Sequence, residues 1–237
     1  MRIEAAIACV GYDDLLQLTL GAAVRAVDRV TVVTAPWDER TPAVAGQLGA
    51  NLLVTDAWRV RGTFNKARAL NEWMASIAGA GEDTWLMALD ADVLLPEDHA
   101  LPRTGLDPES LYGAQRRMCA GQMEWKEYQE SKRDLNSFPL ERLPMFGGRL
   151  WGTVQARNEA GLLGYLQLWN PAHAKGWPRF REAPTASNYD VMFGLSFPEN
   201  ARRFLPGYEV LHLGPTRVNW AGRRSERWNQ GYEVTAG

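Results

Sequence analysis

The hydrophobic positions fall in short runs divided by polar turns, and their spacing switches repeatedly between strand-like and helix-like periods. Ile3 to Val10 is an apolar run of strand length stopped by Gly11. After Asp13-Asp14, residues Leu15, Leu16, Leu18 and Leu20 recur at helical intervals and predict a helix to about Val27. Arg29 to Thr34 is β-branched and predicts a second strand ending before Pro36. Thr41-Pro42 opens a short helix, Asn51 to Thr55 is a third strand, and Phe64 to Ile77 is a longer helix. Thr84 to Leu89 is a fourth strand, which runs into Asp90-Ala91-Asp92. Strands alternating with helices in this way predict an α/β fold with a mostly parallel, doubly wound sheet. Such sheets bind ligands beyond the carboxyl ends of their strands. Here those ends are polar: Tyr12-Asp13-Asp14, Thr34, Thr55-Asp56 and Asp90-Ala91-Asp92.

Beyond Pro102 the pattern loosens. Leu111 to Gln115 predicts a strand, Glu124 to Arg133 is a charged segment, and Gly164 to Trp169 is another apolar strand. A helix is expected near Tyr189 to Phe197 and a short strand from Glu209 to Leu213, followed by a basic, loop-like tail. Neither internal repeats nor low-complexity tracts occur.

Composition narrows the class. With 46% hydrophobic and 23% charged residues among 237, the chain has the balance of a globular protein with a sizeable core. A net charge of −2 argues against a surface built wholly for nucleic acid. The two cysteines, Cys9 and Cys119, lack metal-binding spacing, and Cys9 sits in an apolar run, as a buried thiol would. No apolar run approaches the roughly 18 residues of a membrane span, and the chain enters a strand directly after Met1-Arg2, so a cytoplasmic location is expected. Ten tryptophans is a high count, and Trp37, Trp125, Trp177, Trp220 and Trp228 lie in polar surroundings where an indole could stack on a sugar or a base.

The strongest chemical signal is Asp90-Ala91-Asp92. Two carboxylates directly after a buried strand are costly to bury unless something neutralises them. A divalent cation held by oxygen ligands does so, and a diphosphate can complete its coordination. The alternative is a turn cap at the strand end. The tail between Ala201 and Arg227 carries six arginines against two acids, and a guanidinium there, Arg223 or Arg224, could grip a departing diphosphate. A solvated basic surface, or an acceptor carrying phosphates, nucleic acid included, explains the same arginines.

The strand leading into Asp90-Ala91-Asp92 resembles the DxD element of GT-A glycosyltransferases. Phe64-Asn65-Lys66-Ala67-Arg68 is similar to the asparagine-lysine helix of family 2 members. Leu211-His212-Leu213-Gly214-Pro215, with Asn219-Trp220 and Gly222-Arg223, is similar to the closing segment of metal-dependent members. The resemblance implies a GT-A fold with a nucleotide-sugar half over residues 1–102, an acceptor half over 103–205 and a closing tail over 206–237. It implies transfer of a sugar from a nucleotide-diphosphate donor, a UDP-sugar, to a hydroxyl acceptor with inversion. It places Mn²⁺ or Mg²⁺ on Asp92 and His212, with Asp90 supporting the metal shell or the ribose. Tyr12, Asp13 and Asp56 would contact the base, and Lys66 or Arg68 the diphosphate or base. Asn65, Asn219, Trp220 and Arg223 would complete the donor site. The base that deprotonates the acceptor falls on Asp190, although Tyr189 stands where the family has a Glu-Asp pair; Glu182 and Glu199 are alternatives, and Asp190 could instead cap a helix.

Three other readings compete. A haloacid-dehalogenase-like phosphatase would use the same Asp-x-Asp but needs a later acid pair. A sugar nucleotidyltransferase needs a Gly-rich basic loop after the first strand, which Val10-Gly11-Tyr12-Asp13 is not. A non-catalytic sugar or nucleic-acid binding module would have no use for the paired acids.

Overall fold

The computed structural model describes residues 1–60, 63–77, 79, 81–97, 99–131, 135–140, 164–174, 178–183, 185–186, 189–215, 219 and 221–228. The strands are β1 (Arg2–Ala8), β2 (Arg29–Thr34), β3 (Asn51–Val54), β4 (Arg59–Val60), β5 (Thr63–Phe64), β6 (Thr84–Asp90), β7 (Val93–Leu94), β8 (Leu111–Cys119), β9 (Leu166–Trp169) and β10 (Arg202–Leu213). The helices are α1 (Asp13–Ala26), α2 (Thr41–Gln47), α3 (Lys66–Ser76), α4 (Gln122–Ser131) and α5 (Tyr189–Leu195). Eight strands form one sheet in the order β3-β2-β1-β6-β9-β8-β10-β7, with β4 and β5 a separate small ribbon.

The first four main strands pair in parallel: β1 with both β2 and β6, and β2 with β3. β9 then runs antiparallel between β6 and β8, and β8 pairs in parallel with β10. The result is the α/β, mostly parallel, helix-flanked sheet that the sequence predicts. Both faces of β1 are buried because its residues alternate sides. Ile3, Ala5 and Ile7 pack with Leu16 and Leu20 of α1, while Ala6 and Ala8 join Leu70 and Trp73 of α3 and Phe193 of α5. Among the described residues no helix is long and apolar enough to cross a membrane.

The elements differ from the sequence expectation in several places: β8 runs on to Cys119, and the short strands β4, β5 and β7 were not foreseen. Phe64 belongs to β5, so the helix begins at Lys66 behind an Asn65 cap. The charged segment after Gly121 is a helix, α4, whose Trp125 is buried. The last strand is far longer than Glu209 to Leu213, because Pro206-Gly207 interrupts the register between Phe204 and Glu209 without ending the strand. Gly207 takes φ 65°, a left-handed conformation that glycine tolerates. β10 therefore pairs with β8 on both sides of the irregularity, through Arg202–Phe204 and through Glu209–Leu213. Its parallel pairing with β8 points His212 toward the same end of the sheet as the carboxyl end of β6.

Candidate functional site

Four elements converge where β6 ends. Asp90 is its last residue, level with Ala8 of β1. The chain then turns into β7, which pairs antiparallel with β10 so that His212 lies opposite Val93. The Leu213 amide donates to the Asp92 carbonyl at 2.8 Å, which fixes this register. It brings the His212 Nε2 to 3.7 Å from Asp92 Oδ2, too long for a hydrogen bond. Both side chains are largely buried, and Asp92 Oδ1 is buried with no hydrogen-bond partner among the described residues. Burial pushes the Asp92 carboxyl above its ordinary value, against the pull of the Lys66 charge.

Lys66 opens α3. Its position follows from Asn65, whose Oδ1 accepts from the Arg68 amide at 3.0 Å as a helix cap. The Lys66 ammonium forms an ion pair with Asp90 Oδ1 and lies 5.3 Å from the centre of the Tyr189 ring. Burial would push the ammonium down, but the Asp90 charge overrides it and holds Lys66 well above its usual value. Tyr189 stands buried against this pair, its phenol pushed up by burial. Asp190 follows in the first turn of α5. Its Oδ2 accepts from the Gly164 amide at 2.7 Å, and burial, reinforced by the Asp90 charge, raises its carboxyl. A Cβ at Gly164 would fall 2.1 Å from the Asp190 Cβ, so only glycine allows this approach. The Tyr12 phenol completes the cluster, half-buried, raised by burial and then by the Asp92 charge.

The remaining expected site residues have other partners. Arg223, offered by the sequence as a diphosphate ligand, grips Asp14 with both Nη atoms, donates to the Gly11 carbonyl at 3.0 Å and lies 4.9 Å from the Tyr12 ring centre. Asp13 accepts from Arg227 Nη2 at 2.5 Å, and Asp14 also accepts from the Trp228 amide at 2.7 Å. Asn219 accepts from the Arg224 and Ser225 amides and so closes the tail loop. Asp56, in the turn after β3, and Arg68, on α3, stand exposed. Trp220 lies outside the described residues, as does Trp177.

Two neighbours of the candidate site escaped the sequence reading. Tyr189 counted there only as a departure from Glu-Asp, yet it is packed on the Lys66–Asp90 pair. Asp14 was visible beside Asp13, but nothing in the sequence linked it to an arginine more than half the chain away. Among the described residues no group of three or more His, Cys, Asp or Glu side chains meets to hold a metal ion. The protein's own candidate donors are the Asp92–His212 pair, while Asp90 is engaged by Lys66.

Neither a protein-family model nor a curated protein matches this sequence. Among solved structures, a mycobacterial protein is similar over 92% of this chain and 68% of its own, with 13% identity and a TM-score of 0.50. That likeness is one of fold. Glucosyl-3-phosphoglycerate synthase from Mycobacterium tuberculosis, solved with Mn²⁺, UDP and phosphoglyceric acid, aligns over 49% of this chain and 43% of its own at 18% identity and a TM-score of 0.36. Mannosyl-3-phosphoglycerate synthase from Rubrobacter xylanophilus aligns over 53% of this chain and 44% of its own, again at 18% identity, with a TM-score of 0.37. The match thus spans less than half the length of either synthase.

Proposed function

We propose that this chain is a glycosyltransferase that moves a sugar from a nucleotide-diphosphate donor, a UDP-sugar, to a hydroxyl acceptor, with Mn²⁺ or Mg²⁺ held by Asp92 and His212. The carrying observation is Asp92, a buried carboxylate with one unpartnered oxygen and an imidazole nitrogen 3.7 Å from the other, at the ligand-binding end of the sheet. A carboxylate and an imidazole suit Mn²⁺, and Mg²⁺ accepts as few as one or two carboxylates when substrate phosphates and waters fill its shell. The bound cation would neutralise charge gathering on the departing diphosphate.

The protein's own groups supply the rest. Lys66, kept protonated by its ion pair with Asp90, would place a positive charge beside the same diphosphate, and Asp90 would hold the ribose. Asp190 takes the proton from the acceptor hydroxyl as that oxygen bonds to the anomeric carbon, and the bond to the diphosphate breaks with its electron pair leaving on the phosphate oxygen. A carboxyl raised by burial is the better base near neutral pH. The Gly164 amide holds one Asp190 oxygen and so orients the other. Glu199 precedes β10 at the amino-terminal end of the sheet, away from this cluster, and drops from the list of bases. Glu182 stays as second candidate, with Oε2 3.4 Å from Asn65 Nδ2.

The same geometry disfavours the rivals. A triphosphate cradle at the β1–α1 turn is filled by carboxylates: Asp38 accepts the Gly11 amide at 2.7 Å, and Asp13 and Asp14 occupy the first turn of α1. A phosphatase must complete its metal shell with a further acid, and none joins Asp90 and Asp92 among the described residues. The test is release of nucleoside diphosphate from a panel of sugar donors, with Mn²⁺ and with EDTA. Metal-dependent release supports transfer; release of inorganic phosphate from phosphomonoesters instead would replace it with the phosphatase.

A further inference from the structure

Among the described tryptophans Trp37 is the most exposed. Trp58, Trp73, Trp85, Trp125 and Trp169 are core residues, whereas Trp37 is 38% exposed. It is not loosely held. The next residue, Asp38, accepts from Thr41 Oγ1 at 2.7 Å as well as from the Gly11 amide, which ties this loop to the turn that carries Tyr12. Arg59, at the start of β4, lays its guanidinium 4.1 Å from the centre of the Trp37 ring. The pair therefore sits where β2 and β3 give out at their carboxyl ends. Only β1 separates β2 from β6, so the loop that carries Trp37 leaves the sheet at the same end as the Asp90–Asp92 turn, two strands to its side. A nucleotide whose diphosphate lies at the end of β6 would extend its base along this row of strand ends.

Resting on the transferase reading, we infer that Trp37, steadied by Arg59, is the stacking platform for the base of the donor nucleotide. An indole face accepts any base, because every base presents a π-surface, and an adjacent guanidinium adds attraction to the ring system. The platform explains why a large apolar ring stays exposed on a loop braced by buried hydrogen bonds. It also separates tasks: Lys66 and a cation held by Asp92 and His212 would engage the diphosphate, and Trp37 selects for a nucleoside attached to it.

The test is calorimetric titration of wild type, Trp37→Leu and Trp37→Phe with pyrophosphate and with UDP, GDP, CDP and ADP, all with Mn²⁺. Leucine keeps apolar bulk without a π-face, and phenylalanine restores the face. Trp37→Leu is expected to weaken the best-bound nucleoside diphosphate about ten-fold, the scale of one lost base stack, with pyrophosphate unchanged and Trp37→Phe close to wild type. Unchanged nucleotide affinity in Trp37→Leu, an equal loss for pyrophosphate, or no rescue by phenylalanine overturns the platform and leaves the transferase reading standing. A wild-type protein that binds none of these ligands overturns the transferase reading, and the platform with it.

Discussion

Asp92→Asn should move stability in opposite directions with and without ligand. Without a cation, wild-type Asp92 holds a buried oxygen that has no hydrogen-bond partner. A group left in that condition costs about 1–3 kcal/mol, more if charged, and a neutral amide loses less on burial. The ligand-free variant should therefore be more stable by about 1 kcal/mol, a rise of roughly 2–4 °C in Tm for a chain of this size. The pH dependence has a definite sign. Burial raises the Asp92 carboxyl, so its contribution favours the folded state below the unfolded value of 3.8 and is lost as pH rises through the higher folded value. The variant should show a shallower fall over that window. Saturation with Mn²⁺ and UDP reverses the order. At a hundred times Kd, ligand adds about 2.7 kcal/mol to the wild type, and a ten-fold loss of affinity in the variant removes about 1.4 kcal/mol of that. Thermal melts with EDTA, with Mn²⁺ alone and with Mn²⁺ plus UDP give all these numbers. A variant less stable than wild type in EDTA, yet with the full shift on adding Mn²⁺ and UDP, would refute both the burial argument and the metal assignment.

Asp190→Asn keeps an oxygen for the Gly164 amide and the capping geometry but deletes the basicity, so turnover should fall about 10²–10⁴-fold with UDP affinity unchanged in steady-state kinetics and titration. Near-normal turnover would reduce Asp190 to a helix cap. Arg223→Met should act on structure: removing one partner of the largely buried pair with Asp14 costs up to about 3–5 kcal/mol, read as a lower Tm or as early proteolysis of the tail. Intact melting and proteolysis with lost activity would return Arg223 to the diphosphate. Cys9, whose thiol burial pushes up to about 12, should resist a thiol reagent at pH 8 in the native state and react fully in denaturant. Rapid native labelling of Cys9, mapped by mass spectrometry, would contradict its burial.

The sequence by itself determined the parallel part of the sheet and its helices. β1, α1, β2, β3, α3 and β6 are local patterns, apolar runs of strand length alternating with helical spacing, and each is stabilised by burial its own residues make possible. The paired acids at Asp90 and Asp92 were legible for the same reason: two carboxylates after a buried strand are a local anomaly that demands an explanation. Partnership was a different matter. Whether Lys66 would meet Asp90 or solvent depended on the angle at which α3 leaves the Asn65 cap, and whether His212 would face Asp92 depended on the antiparallel register of β7 with β10. Arg223 could be placed near either the diphosphate or Asp14 by its chemistry, because a guanidinium suits both oxygen pairs equally well. Those choices rest on contacts between segments far apart in the chain, where no local propensity discriminates and only the packing of the whole sheet does. Pro206-Gly207 shows the same limit. Locally it is a break, and it stays within β10 because β8 alongside supplies hydrogen bonds on both sides of the irregularity.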